Sequence, residues 1–285
     1  MYPVPNLNRK IKGNMITKEA QISKMVRPDM PSSDYHAHSA ISAGSLDTIH
    51  TDGVPALIYK LNNPKKPTPD MILGTLTHTL TLEPDQFGKQ YIMIPKLNYK
   101  LKKNQELKKE LEGRAFQENL SLISQEQYDH ALAMSKSVLA HPLVQKIMKK
   151  GRPEASYFWE KDGQKLKARP DWVNGKYWMD LKTARNARKT GFASACKEGG
   201  YHRRASFYTE CAKYHGEDVD YVFVLVNKTP PYQVGLYLLP PEALDIGKTQ
   251  WEKALEDYQN YDPADAVYGF SRIIEPVPVP DWALN

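Results

Sequence analysis

Between Glu154 and Thr183 apolar positions recur at every second residue, and two hairpin-type dipeptides, Asp162-Gly163 and Asn174-Gly175, interrupt the run. The pattern predicts a three-stranded antiparallel meander. Upstream, the spacing is helical. Thr68 as cap and Pro69 at the first helical position predict a helix from about Pro69 to Leu82, with Pro84 discouraging its continuation. Further helices are expected at Asn104–Arg114 and at Gln125–Met148, the latter opened by a Ser124/Gln127 capping box and broken or kinked at Pro142. Ser42 caps a short helix that ends at Asp52-Gly53. Downstream of the meander, residues 186–216 read as a loop and then a helix centred on Ser206. Two apolar strands, "DYVFVLVNK" and "YQVGLYLLP", and a closing amphipathic helix from Pro241 follow. The first 30 residues show no sustained period and several prolines, so 1–30 is expected as a surface arm or disordered segment ahead of one domain over 31–285. This order of elements predicts an α/β fold with a mixed sheet flanked by helices.

If both turns contain two residues, the register of the meander follows. Val173 then faces Lys176 and Asp171 faces Trp178, leaving Asp180 diagonal to Asp171 on the same face, with Cα atoms roughly 7–8 Å apart. Lys182 shares the parity of Asp180. Pairing of Lys161 with Gln164 sets Glu154 directly opposite Asp171. Three acids and a lysine converge on one side. The other side collects Ala155, Tyr157, Trp159, Leu166, Ala168, Trp172, Tyr177, Met179 and Leu181 as a core-facing surface. An antiparallel meander ordinarily has a polar face, so charge there needs no purpose. Two details argue for one: opposed like charges such as Glu154 and Asp171 call for a counter-ion, and Phe158 and Trp178 sit among them. Pro170 cannot donate a ladder hydrogen bond, so a bulge beside it would displace Glu154 and leave the second hairpin intact.

Charge and composition narrow the partner class. The formal net charge of +6 suits an anionic partner such as nucleic acid. The lysine-rich stretch at 96–114 interleaves glutamates and reads first as a solvated helical face, second as a phosphate-tracking surface. Two cysteines, Cys196 and Cys211, are too few for a disulfide framework or a four-cysteine metal centre. No apolar run approaches the roughly 18 residues of a membrane span, and the N-terminus lacks the apolar stretch of a secretory signal. A cytoplasmic protein without membrane association is the expectation.

Carboxylates of this kind hold hard divalent cations such as Mg²⁺, which lower the pKa of bound water and offset charge on a phosphodiester under attack. A neighbouring lysine orients or helps deprotonate that water. No serine or cysteine nucleophile with an adjacent base is evident.

"RPDWV" followed by "MDLKT" resembles the core of the PD-(D/E)XK nuclease superfamily, an acid on one strand and an acid-x-lysine set on the next. The flanking segments "YHAHSAISAGSLDTI", "PTPDMILGTLTHTLTLEPDQF", "RPEASYFW" and "YHRRASFY" are similar, in the same order, to those of the RecE-type exonuclease VIII catalytic domain. The resemblance spans roughly residues 33–239 and implies a restriction-endonuclease-like α/β core. It implies Asp171 and Asp180 as metal ligands, with the Leu181 carbonyl as an additional one and His78 at the metal or scissile phosphate. It also implies Lys182 as the residue acting on the nucleophilic water, Glu154 as an upstream acid, and Tyr208 as the tyrosine of a helical Gln-x-x-x-Tyr pattern that contributes to the active site and to DNA contact. Arg204 stands where that pattern has glutamine and would contact a phosphate directly.

The function expected is a Mg²⁺-dependent exodeoxyribonuclease, with Mn²⁺ substituting, acting on linear double-stranded DNA ends. The resemblance further implies 5′-to-3′ digestion, a single-strand annealing partner and a homo-oligomer. The rivals are a related nuclease of other polarity or substrate and an inactive DNA-binding module marked by Arg204.

Overall fold

In a computed structural model, residues 25–271, 273, 274 and 276–278 of the chain are described. Met25–Arg27 (β1) leads into Ser32–Ala37 (α1), Ile41–Ser42 (β2), Ala43–Asp52 (α2) and Val54–Asn62 (α3). Pro69–Leu82 (α4), Phe87–Gln90 (α5), Tyr91–Ile94 (β3), Lys102–Glu118 (α6), Ser121–Ser124 (β4), Gln125–Ala140 (α7) and Pro142–Met148 (α8) follow. The strands Arg152–Pro153 (β5), Ser156–Lys161 (β6), Gln164–Ala168 (β7), Trp172–Val173 (β8) and Tyr177–Ala184 (β9) come next. Lys189–Gly199 (α9), Tyr201–Tyr214 (α10), Asp220–Asn227 (β10), Val234–Tyr237 (β11) and Pro241–Gln259 (α11) complete the order.

The central sheet has the order β11-β10-β9-β8-β5, with β9 and β10 parallel at its middle and antiparallel neighbours outside them. The parallel pair is largely apolar because helices cover both of its faces, with Asp180 and Lys182 of β9 as the charged exceptions inside it. Trp178, Tyr221, Phe223 and Leu225 pack into one core with Phe207 of α10 and Trp251 of α11. Met179, Leu181, Val222, Val224 and Val226 pack into another with Leu73 and Leu76 of α4 and Met134 and Val138 of α7.

The helix signals act as read. Thr68 accepts from the Met71 amide at 3.3 Å, Ser42 accepts from Ser45 at 3.2 Å, and Ser124 and Gln127 form the reciprocal capping box. Pro142 separates α7 from α8. The helix expected at Asn104–Arg114 is longer at both ends. Helix α9 occupies a segment expected as loop: its one buried residue, Phe192, is an anchor that stacks on Tyr201 and Tyr237, so tertiary packing supplies what its glycine-broken pattern lacks. Strands β3 and β4 pair in parallel around α6, a contact whose sequence separation hides it from local patterning. Met25–Arg27, inside the expected arm, pairs with β6, and residues 1–24 lie outside the described residues.

The meander differs from its prediction in two ways. Its first hairpin keeps the predicted register from Lys161↔Gln164 through Tyr157↔Ala168 to Arg152↔Val173, but two sheets share it. Strands β6 and β7 belong to a second sheet of order β1-β6-β7-β2, whereas β5 and β8 belong to the central one. The handover falls at Glu154, which adopts φ 50°, and at Pro170, which has no N–H to pair. The nine residues expected on one core face therefore divide. Ala155, Tyr157, Trp159, Leu166 and Ala168 enter the first core, and Met179 and Leu181 enter the second, with Trp172 and Tyr177 beside it.

The second hairpin is shifted. Asn174 Oδ1 accepts from the amides of Lys176 (3.0 Å) and Tyr177 (2.7 Å), and the Asn174 amide donates to the Tyr177 carbonyl. Gly175, at φ 79°, thus takes the first central position of the turn, as a II′ geometry requires. Val173 pairs with Trp178 and Trp172 with Met179, two residues from the predicted register. A shift of two conserves parity, so Asp171 and Asp180 stay on the same side of the hairpin.

Gly247 of α11 sits where that helix crosses α10. A Cβ there would lie 2.3 Å from the His202 carbonyl oxygen of α10. Gly247→Ala is expected to destabilise the protein by about 1–3 kcal/mol through overpacking, read as a lower midpoint of thermal unfolding.

Candidate active site

Four parts of the chain meet where the hairpin changes sheets: α4 brings His78, the crossing brings Glu154 and Asp171, β9 brings Asp180 and Lys182, and α10 with β10 supplies Arg204, Tyr208 and Tyr221. His78 Nε2 is 2.6 Å from the Leu181 carbonyl, which can only accept, so Nε2 donates. That bond turns Nδ1 toward Asp171 Oδ2, 3.5 Å away. The Glu154 amide donates to the Asp171 carbonyl at 3.2 Å, which places Glu154 opposite Asp171. One ligand atom from each of His78, Glu154 and Asp171 lies within 4.8 Å of the others. Asp171 Oδ2 also accepts from the Leu181 amide at 2.6 Å.

Asp180 stands beside this group. Its Oδ1 accepts from the Tyr221 hydroxyl at 3.1 Å. Its buried Oδ2 faces the Lys182 ammonium in a close ion pair but makes no well-aligned hydrogen bond. Arg204 approaches Asp47 of α2, with Nη2 3.8 Å from Oδ2. Tyr208 places its hydroxyl on the crossing strand, where it donates to the Arg169 carbonyl at 3.2 Å, and its ring meets Trp178 edge-on. The structure thus sets Tyr208 as a buttress of the crossing, and Tyr221 carries the phenol that touches an acid.

Charge is poorly balanced here. Burial raises the Asp171 carboxyl above the ordinary carboxylate range, His78 opposes this and Asp180 adds to it. Burial, then the facing Asp171, pushes Glu154 up to about 8. Burial acts the same way on Asp180, yet Lys182 and then Arg204 bring it below the usual value. Burial alone would lower the Arg204 pKa, but Asp180, Tyr208 and Tyr221 outweigh it and keep the guanidinium charged. The site is therefore two sub-sites, an Asp180 compensated by Lys182 and Arg204, and a His78–Glu154–Asp171 cluster in which Arg169 pairs with Glu154 at 2.7 Å yet burial and the facing carboxyls still hold Glu154 and Asp171 raised.

Two raised carboxyls beside an imidazole fit a divalent cation. The donors are two carboxylates and an imidazole, a set that suits Mg²⁺, Mn²⁺ or a first-row metal, and Asp180, paired with Lys182, stands outside this set. The thiols offer no competing nucleophile, since burial raises Cys196 to about 11 and holds Cys211 well above its ordinary value. Beside Glu154 opens a cavity of ≈ 1090 Å³, walled by residues 28–33 on one side and by Glu83, Gln86, Lys89 and Gln90 on another. Helix α6, with its lysines, is solvent-exposed and laced by Lys108–Glu112 (3.6 Å) and Arg114–Glu118 (2.8 Å) pairs.

Residues 56–264 match the family described as a PDDEXK-like domain of unknown function (DUF3799). The chain belongs to that family. The matched span of this PDDEXK-like domain holds every site residue named above except Asp47. A solved structure from Eubacterium rectale, described as a candidate exonuclease, superposes with a TM-score of 0.57 over 87% of this chain and 96% of that one, at 12% identity. At that identity the likeness concerns the fold, and it agrees with a mixed-sheet PD-(D/E)XK architecture. A second structure, SSO0001, reaches a TM-score of only 0.28 at 12% identity, over 58% of this chain and 77% of that one, and carries no argument. Among curated proteins none matches the chain. In the PDDEXK-like domain two residues escaped sequence reading: Tyr221, whose role follows from the parallel pairing Tyr221↔Trp178, and Arg169, which adjoins the motif itself.

The elevated Glu154 gives a pH dependence of stability. A carboxyl whose folded pKa exceeds its unfolded one binds the proton more tightly when folded, so its contribution is complete below about 4.5 and is lost as pH rises through about 8. In EDTA, thermal stability is expected to fall between pH 5 and pH 8. Added Mg²⁺ or Mn²⁺ is expected to offset the fall, because an ion bound by the folded state alone stabilises it. Melting curves at the two pH values check both signs.

Proposed function

We propose that this PDDEXK-like domain is a divalent-metal-dependent exodeoxyribonuclease of the RecE type, acting on linear double-stranded DNA ends. The observation that carries the proposal is the His78–Glu154–Asp171 cluster set beside an Asp180–Lys182 pair on the central strand β9. His78, Glu154 and Asp171 would hold the ion, with Asp180 adjoining. Bound Mg²⁺, or Mn²⁺ in its place, supplies Lewis-acid stabilisation of the phosphodiester and a more acidic water.

The residues divide the remaining work. His78 is fixed by the Leu181 carbonyl and so presents one nitrogen to the cluster. Lys182 is held at Asp180, where its ammonium orients the attacking water and neutralises phosphate charge. Arg204, kept cationic beside Asp180, offers a fork for a phosphate oxygen in place of the glutamine of related sites. Tyr208 and Tyr221 keep the crossing and Asp180 in place.

The RecE-type resemblance supports 5′-to-3′ polarity, handover of the single strand to an annealing protein and a homo-oligomeric assembly, and we place the site of action in the cytoplasm. Among the described residues no helix is long and apolar enough to cross a membrane. The test is digestion of linear duplex DNA labelled at its 5′ or 3′ end, with Mg²⁺, Mn²⁺ or EDTA. Metal-dependent loss of the 5′ label first supports the proposal. Loss of the 3′ label first overturns the polarity. Binding without release from either end favours the second reading, a DNA-binding module marked by Arg204.

A further inference from the structure

Arg169 precedes the crossing proline, and its guanidinium donates to three partners. Nε donates to Glu154 Oε2 at 2.7 Å, and Nη1 donates to the Met30 carbonyl at 2.9 Å and to Ser156 Oγ at 2.8 Å. Its charged carbon lies 5.5 Å from the centroid of the Tyr35 ring. The side chain is 10% exposed. The Tyr208 hydroxyl grips the same residue's backbone, accepting from its amide at 3.4 Å and donating to its carbonyl at 3.2 Å.

Met30 and Tyr35 belong to the segment that leads into and forms α1. Residues 28–33 wall the ≈ 1090 Å³ cavity that opens onto Glu154 and Arg169. Lys167, two residues earlier on β7, pins the other end of the segment, donating to the carbonyls of Tyr35 (2.6 Å) and His38 (2.8 Å). The wall is therefore attached to β7, whose continuation leads to Asp171, and Arg169 joins its inner end to Glu154.

Glu154 needs such a partner. It adopts φ 50°, a conformation that non-glycine residues hold only when their surroundings over-determine it. Its backbone pairs with that of Asp171, whose carboxyl it faces, and two ionised carboxylates so opposed are destabilising without a cation such as Arg169. A planar guanidinium can hold the carboxylate and reach the carbonyl and hydroxyl at once, whereas an ammonium on a flexible stem cannot span all three.

We infer that Arg169 is a positioning residue: it aims Glu154 at His78 and Asp171 and clamps residues 28–33 as the cleft wall, so that metal binding and the order of that wall are linked. The inference rests on the reading of His78, Glu154 and Asp171 as the metal site. Linkage requires reciprocity: an ion that tightens Glu154 tightens the wall by the same factor.

The test uses the full chain, with Mn²⁺ binding followed by electron paramagnetic resonance and amide exchange followed over residues 29–38, with and without Mn²⁺. Wild type is expected to bind Mn²⁺ and to exchange more slowly in this segment when it does. Arg169→Lys is expected to weaken Mn²⁺ binding by about 10–100-fold, the usual range for an outer partner of a ligand. It should also speed exchange over 29–38 without metal and abolish the effect of Mn²⁺ there. Glu154→Gln should weaken Mn²⁺ binding while metal-free exchange over 29–38 keeps its wild-type rate, since the bonds to Met30 and Ser156 remain. If Arg169→Lys does not fold, Ser156→Ala, which removes one of the three bonds, is expected to shift both readouts in the same direction by less. Folded Arg169→Lys with wild-type Mn²⁺ affinity, or with the Mn²⁺ effect on exchange intact, overturns the inference. A wild type that binds no Mn²⁺ overturns the metal-site reading, and the linkage falls with it.

Discussion

Lys182→Ala is expected to lower metal-dependent hydrolysis of linear duplex DNA by about 10²–10⁴-fold, the span associated with losing a group that moves or orients the proton of the attacking water. The geometry makes the loss specific. Lys182 is the ion-pair partner of Asp180, and its removal leaves that buried acid with Arg204 as its remaining cationic neighbour and Tyr221 as its hydrogen-bond donor. Mn²⁺ binding at His78, Glu154 and Asp171 should persist, because none of those side chains bonds to Lys182. End-labelled digestion and a metal titration on the same variant separate the two effects. Wild-type digestion by the variant would remove the lysine from the chemistry, and loss of Mn²⁺ binding together with turnover would make it part of the ion site.

The second large effect concerns stability. Trp178→Ala is expected to cost about 3–5 kcal/mol, a fall in Tm of roughly 6–20 °C for a protein near this size. Trp178 is fully buried between Tyr157, at a ring distance of 4.5 Å, and Tyr208, and its indole N–H donates to Glu217 at 3.0 Å. Tyr157 donates to the same carboxylate at 3.1 Å. The substitution removes a large volume from the first core and half of the hydrogen bonding that keeps a partly buried Glu217 satisfied. Because Trp178 lies two residues before Asp180 on the same strand face, reduced activity in a variant that still folds would report displacement of the acid. A midpoint within 2 °C of wild type would show that the cavity collapses, contrary to this account.

Links between remote parts of the chain explain why some residues were legible and others were not. His78 is recognisable only by its place in a longer pattern, since nothing local to α4 says that it will meet Leu181, more than a hundred residues away. Tyr221 sits in an apolar strand where a tyrosine is unremarkable until parallel pairing sets it against Trp178. Arg169 reads as an ordinary strand cation until the N-terminal segment is laid over it.

The sequence by itself determined what depends on near neighbours. Thr68-Pro69, Ser124/Gln127 and Pro142 set helix ends because caps and missing N–H groups act within one turn. Asp162-Gly163 set a register that holds from Lys161↔Gln164 to Glu154 opposite Asp171, since pairing propagates residue by residue from a turn. Alternation put Asp171 and Asp180 on one side, a result that survived a two-residue slip because parity has a period of two. Tertiary structure alone decided where the hairpin leaves one sheet for the other, which turn Asn174 makes, and that both faces of β9 are buried. Those outcomes depend on helices packed from distant parts of the chain and on a proline that interrupts the ladder. The same distant packing sets Arg169 against Glu154 in the His78–Glu154–Asp171 cluster and gives Asp180 both Lys182 and Arg204, a division of charge that no local pattern encodes.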